Sequence, residues 1–326
     1  MVGSHDQESR GNVFAFAGMG LLLLLTHVFA LLLAAPFETA GMRAFENPES
    51  VFNAVFFFAL VLCFTAAILV ILKFGGMKFV HLFMLFAVAA TIYWVLSALI
   101  PIILNIFHVA FVPAPIFDIF PLIVALALTA LLYFRPEWYV IDAVGLLVAS
   151  GVASIFGISL QVLPVIVLLV ILAVYDAVSV YGTKHMVSLA SSVVEMRVPL
   201  LFVLPRRRKF SLLKVGAAKG RAGRAGRAER AEKAEKAGQE GGKEQQELGG
   251  EEAFFMGLGD AIIPAILAVS AYRYTSFASA IGSVAGTLAG YALLCTFAGR
   301  GKPHAGLPFL NSGAILGFLL GVALCS

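Results

Sequence analysis

The sequence predicts an all-α membrane protein with nine transmembrane helices, N-terminus inside and C-terminus outside. Three observations carry that expectation. The 326-residue chain is 60% hydrophobic and 13% charged, against roughly 45–50% and about 25% in soluble domains. Its apolar residues gather into runs of about 18–25, the length that ~30 Å of hydrocarbon demands of a helix. Its Lys and Arg concentrate in alternate connections between those runs. An ordinary cytosolic enzyme is excluded before any motif is read.

The polar start, residues 1–12, reads as a flexible N-terminus. The first span, 13–35, is too long for the apolar region of a signal peptide, and Pro36 follows Ala34-Ala35 awkwardly for cleavage, so a retained helix is expected. The next spans fall at 50–72, 79–100, 116–134, 138–157 and 160–182. Residues 101–115, with Pro101, Asn105, His108, Pro113 and Pro115, either extend the third helix or form a connector. Between Lys184 and Pro199 a mixed stretch reads as a short interfacial helix, closing a first unit of 13–204. A polar segment, 205–252, follows. The second unit, 253–326, holds spans at 253–271, 276–298 and 306–325.

The charge follows the same division. Residues 206–252 carry thirteen Lys/Arg and eight Asp/Glu, leaving ten against eleven elsewhere. The basic balance of +4 thus comes from one segment, and no nucleic-acid partner is expected. Arg206-Arg207-Arg208-Lys209 suits anionic headgroups of a bilayer. The Ala/Gly/Glu/Lys/Arg tract beyond has no apolar face to bury and reads as a disordered cytoplasmic loop. With the N-terminus inside, only Arg43 and Arg273 of the twenty-three cations fall outside. Cys63, Cys295 and Cys325 each sit in an apolar run with no ligand spacing, so neither disulfide nor zinc is expected. No metal or organic cofactor is implied. His185 reads as an interfacial residue beside the loop.

Ionisable residues within a bilayer are costly and mark function. Asp118 lies at the outer face, where water reaches it, and Asp142 lies near the inner end of the fifth span, where structural pairing or snorkelling accounts for it. Asp176 and Asp260 differ. Asp176 is six residues before the end of the sixth span and Asp260 seven after the start of the seventh, so both sit ~9–11 Å below the same face. Two carboxylates that close repel, so one holds a proton while the other stays charged. Such a pair can serve as general base and general acid on a water and a peptide bond, or can be a structural pair or cation site. Gly257 and Gly259, flanking Leu258, let another backbone approach. Pro264 deprives the Asp260 carbonyl of its helical donor, which suits a wet cavity. Tyr175 points about 100° from Asp176 around the helix.

Tyr175-Asp176 together with Gly257-Leu258-Gly259-Asp260 resembles the presenilin and signal peptide peptidase family of intramembrane aspartyl proteases, the GxGD proteases. The family's Pro-Ala-Leu motif falls at Pro308-Phe309-Leu310, with Phe309 in place of Ala. The resemblance implies that Asp176 and Asp260 are catalytic, with water as nucleophile. It implies that Pro308–Leu310 shapes the site and receives substrate, and that the partners are transmembrane-helix proteins. Signal peptide peptidases are mounted with the long loop outside. The charge bias here puts it inside, as in presenilins, so the similarity is greatest to a microbial presenilin homologue. That places the chain as an integral multi-pass protein, of the cell membrane in a prokaryote; a second copy of the chain is a further candidate partner. A prepilin-type GxGD peptidase and a transporter or ion channel using the aspartates for coupling are the alternatives. The first matches nine helices and Pro308-x-Leu310 poorly, and no internal repeat supports the second.

Overall fold

The computed structural model describes residues 2–74, 76–106, 108, 114–180, 201–205, 253–298 and 305–325. Among them are nine helices and two strands: α1 (Val2–Thr39), α2 (Phe52–Lys73), α3 (Met77–Ile106), α4 (Ala114–Phe134), α5 (Trp138–Ser159), α6 (Val162–Val178), β1 (Leu201–Pro205), β2 (Ala253–Gly257), α7 (Leu258–Tyr274), α8 (Phe277–Ala298) and α9 (Leu307–Cys325). Five of the helices hold a stretch long and apolar enough to cross a membrane: Phe14–Thr39, Lys78–Leu104, Trp138–Ser159, Phe277–Phe297 and Leu307–Cys325. Shorter apolar helical stretches run over Phe52–Ile68, Ile119–Phe134 and Val162–Val178. Large apolar side chains such as Phe52, Phe86, Leu126 and Leu324 face outward, as a lipid-facing surface requires and a water-facing one forbids.

The structure corrects the helical reading in three places. The chain is not all-α: β1 and β2 pair antiparallel, Leu201 opposite Gly257 and Pro205 opposite Ala253. The seventh span does not begin as a helix at 253, because residues 253–257 are strand. Helix is already present from Val2, where a flexible start was expected. Of the two readings of 101–115, extension of the third helix holds as far as Ile106. The expected interfacial helix at 184–199 and nearly all of the 205–252 segment lie outside the described residues.

Helix α7 is the centre of the bundle. Ala265 to Ala271 are buried without interruption, enclosed by α5, α1, α8, α6 and α9. Small residues allow this, because an Ala-rich helix can be approached on every side. Its C-terminal end is pinned by Ser270, which donates to the Leu160 carbonyl at 2.7 Å, and by Tyr274, which donates to the Ile158 carbonyl at 2.6 Å. Helix α1 stops in a Schellman turn. Gly41 takes φ +70°, while the amides of Met42 and Gly41 return to the carbonyls of Phe37 and Glu38. Just beyond, Arg43 and Arg273 both donate to Glu38.

The small sheet lies inside the helical shell. On one face Phe202 fits over Gly145 of α5 and Leu204 over Gly18 of α1, where an added Cβ would come within 3.3 and 3.0 Å of them. On the other, Val203 and Ala253 join the core formed with Val88, Ile92, Leu132 and Val144. The alternation of two along a strand serves both faces at once.

Candidate active site

Asp176 comes from the last turn of α6 and Asp260 from the first turn of α7. The second placement follows from local chemistry. Gly257 is the N-cap of α7, extended at φ −61° and ψ 138°, with no side chain to cap the free amides. Asp260 stands three residues on, where an acidic side chain reaches back to the N-cap amide. A Cβ on Gly257 would come within 3.5 Å of Asp260 Oδ2, so the carboxyl does lie back over the N-cap. The change from β2 to α7 therefore aims that carboxyl back along the strand.

The start of α9 closes the arrangement. The Leu307 N–H donates to Asp176 Oδ2 at 3.1 Å. At the adjacent Gly306, a Cβ would come within 3.3 Å of Asp260 Oδ2. Both carboxyls therefore converge on the Gly306–Leu307 backbone, and they lie near enough to interact electrostatically. Each stands at a helix N-terminus, Asp176 at that of α9 and Asp260 at that of α7, where free amides favour negative charge. Two carboxyls at one such locus can pass a proton between a water and a polarised carbonyl.

The other sequence-predicted positions divide. Leu258 and Leu310 are buried in one cluster with Met256 and Phe202, behind the site. Pro308, Phe309 and Leu310 form the opening turn of α9. Phe309 turns toward α8, its ring 5.7 Å from that of Phe297. Tyr175 packs edge-on to Phe58 of α2 at 5.7 Å. Among the described residues nothing stands within 4 Å of a Cβ on Gly259, which leaves space beside the second glycine. An apolar groove of about 1070 Å³ runs along α8 and α9 to Pro308 and Phe309, but neither carboxyl lines it.

Two residues beside the site escape sequence reasoning. Gly306 is indistinguishable by sequence from any loop glycine. Asn311, buried one turn into α9, donates from Nδ2 to the Leu169 carbonyl of α6 at 2.9 Å. A polar amide inside an apolar span was a readable signal. With the Leu307 amide it ties α9 to α6 at two levels.

Likeness to known proteins agrees with this geometry. The family model described as signal-peptide peptidase, presenilin aspartyl protease matches residues 19–326. The chain belongs to that family. Two solved structures, each described as a presenilin family intramembrane aspartate protease, are similar over nearly their whole length. One, in space group C222, is 37% identical with a TM-score of 0.64, over 95% of this chain and 99% of that one. The other, in space group P2, is 40% identical with a TM-score of 0.65, over 94% and 97%. A search of curated proteins gave no significant match. As a member of the presenilin and signal-peptide-peptidase family, the protein is an integral membrane enzyme, an intramembrane aspartic endopeptidase.

Proposed function

We propose that Asp176 and Asp260 are the catalytic dyad of this protease. The observation that carries the reading is the convergence of both carboxyls, from separate helices, on Gly306 and Leu307. The pair holds one proton between them, because two charges that close repel. The ionised carboxylate takes a proton from water as its oxygen attacks the scissile carbonyl carbon. The protonated partner hydrogen-bonds the carbonyl oxygen as it gains negative charge. Collapse of the tetrahedral species breaks the C–N bond, and a dyad proton goes to the departing nitrogen.

The substrate is a transmembrane segment, which must unwind to expose a peptide bond. Its freed amides and carbonyls then need partners within the membrane. A strand added to β2 supplies them. The free edge of β2 runs directly into Gly257 and Asp260, and the open space at Gly259 leaves room for the incoming backbone. Pro308–Leu310, the segment that the resemblance implies receives substrate, is helical and cannot itself pair as a strand; it contributes by packing behind the dyad.

Nine spans, N-terminus inside and C-terminus outside, fit the distribution of cations. The pairing of Arg43 and Arg273 with Glu38 offsets charge on the outer side. The segment 205–252 is then a polar cytoplasmic connection between 13–204 and 253–326. Trypsin should cut it in inverted vesicles and spare it in sealed right-side-out cells; the reverse pattern contradicts this mounting. For the chemistry, a hydroxyl-bearing transition-state isostere should inhibit cleavage of a transmembrane peptide competitively. The rate should fall at low pH, as the base is protonated, and at high pH, as the acid loses its proton. Insensitivity to the isostere together with a flat pH profile would remove the dyad mechanism.

A further inference from the structure

Asp142 has no part in the chemistry above, yet it is a buried carboxyl near the start of α5. From α5 it accepts the Val203 N–H at 2.7 Å. That bond reveals which way β1 faces. In an antiparallel pair, residues opposite each other either exchange both backbone bonds or turn both groups outward, in strict alternation. Val203 gives its amide to Asp142 and so turns outward, as does Phe255 opposite it. By alternation Leu201↔Gly257 and Pro205↔Ala253 are outward pairs too.

One independent feature agrees with that phase. Pro205, which has no N–H, occupies an outward position where none is needed by β2. The two edges of the sheet are therefore unlike. On β1 the Val203 amide is taken by Asp142, Pro205 offers none, and α5 lies alongside. On β2 the backbone groups of Ala253 and Phe255 face outward, and among the described residues no third strand pairs with them. A free strand edge pairs with whatever strand reaches it. Only one edge of this sheet leads to Asp260.

We propose that Asp142 is a positioning residue for proteolysis: its carboxyl closes the outer edge of β1 and fixes the β1–β2 register, so that substrate adds to β2 beside Asp260. This rests on the strand-addition reading of substrate binding. A carboxyl suits the task because it accepts from an outward amide and donates nothing that would disturb the pairing. Without the tether, β1 regains a free amide and the pair is free to slip. A one-residue slip would turn every side chain to the opposite face.

The test measures kcat, KM and cleavage positions by mass spectrometry for purified wild type, Asp142→Asn, Asp142→Ala and Val203→Pro, on one transmembrane peptide. Asn keeps an acceptor oxygen, so Asp142→Asn should retain the wild-type cleavage positions and kcat/KM within about threefold. Asp142→Ala should lose about 10–100-fold, chiefly in kcat, since a misplaced scissile bond costs rate more than docking. Its cuts should spread over neighbouring bonds. Val203→Pro deletes the donor and leaves the carboxyl, and should reproduce that spread; it decides the matter if Asp142→Ala is not recovered folded. Wild-type cleavage positions and kcat in Asp142→Ala or in folded Val203→Pro would overturn the proposal. So would failure of Asp142→Asn to restore the wild-type pattern. Asp176→Asn and Asp260→Asn, run alongside, separate the two claims: cleavage by these variants overturns the dyad, whereas inactive dyad variants beside an unaltered Asp142→Ala overturn only the tether.

Discussion

Helices α8 and α9 and the corner built from α5, β1, β2 and α7 solve the same problem in opposite ways. The α8–α9 pair is held by shape. Gly282, Gly286 and Gly290 face Gly317, Gly313 and Phe309, and an added Cβ at any of the three α8 glycines would overlap a carbonyl oxygen of α9. Such close backbones gain dispersion and Cα–H···O contacts without any polar side chain. The corner is held by hydrogen bonds. Asp142 takes the Val203 amide and Asp176 the Leu307 amide. In lipid an unpaired amide costs several kcal/mol, so extended backbone survives at depth only where such acceptors wait for it. Packing builds the scaffold, and carboxyls make irregular backbone tolerable around Asp176 and Asp260.

Substitutions should separate the two. The largest effect is expected at Gly286→Leu, which forces α8 from α9. It should cost about 3 kcal/mol or more, the upper end of overpacking, read as a lower thermal midpoint with activity lost in parallel. Gly306→Ala adds only a methyl, but beside Asp260. Cleavage should fall about 10–100-fold from the misplaced carboxyl, with little change in thermal midpoint; equal loss of both would mean that the corner too is held by packing. Asn311→Ala should be mildest. It removes the bond to Leu169 at a cost of about 1 kcal/mol, and the rate should fall a few-fold as the start of α9 loosens against α6. An unchanged rate would mean that the Leu307 amide alone sets the position of α9.

The sequence made legible what depends on composition and periodicity. Hydrophobic runs located the helices, and the depth of Asp176 and Asp260 on consecutive spans singled out the pair that meets at α9. What it hid depends on long-range pairing. Ala253–Gly257, AFFMG, is a short apolar run that reads equally as helix or strand; only β1, contributed from the far side of the polar segment, makes it a strand. Asp142 looked like a residue needing a partner, but that partner is a backbone amide 61 positions away, which no local pattern records. The glycines at 282, 286, 290, 313, 317 and 321 recur every four residues along both helices and were readable as a packing face. Gly306 was not, because its meaning comes entirely from Asp260 beside it.

The dyad is tested most directly by the residual cleavage rates of purified Asp176→Asn, Asp260→Asn and the double variant on one transmembrane peptide. Asn preserves size and a hydrogen-bonding carbonyl but exchanges no proton at working pH. Two carboxyls acting as one unit should leave all three variants folded, inserted in the membrane and at the same floor, with the double no worse than either single. Substantial cleavage by either single variant, or a double variant far below both, would contradict a shared dyad.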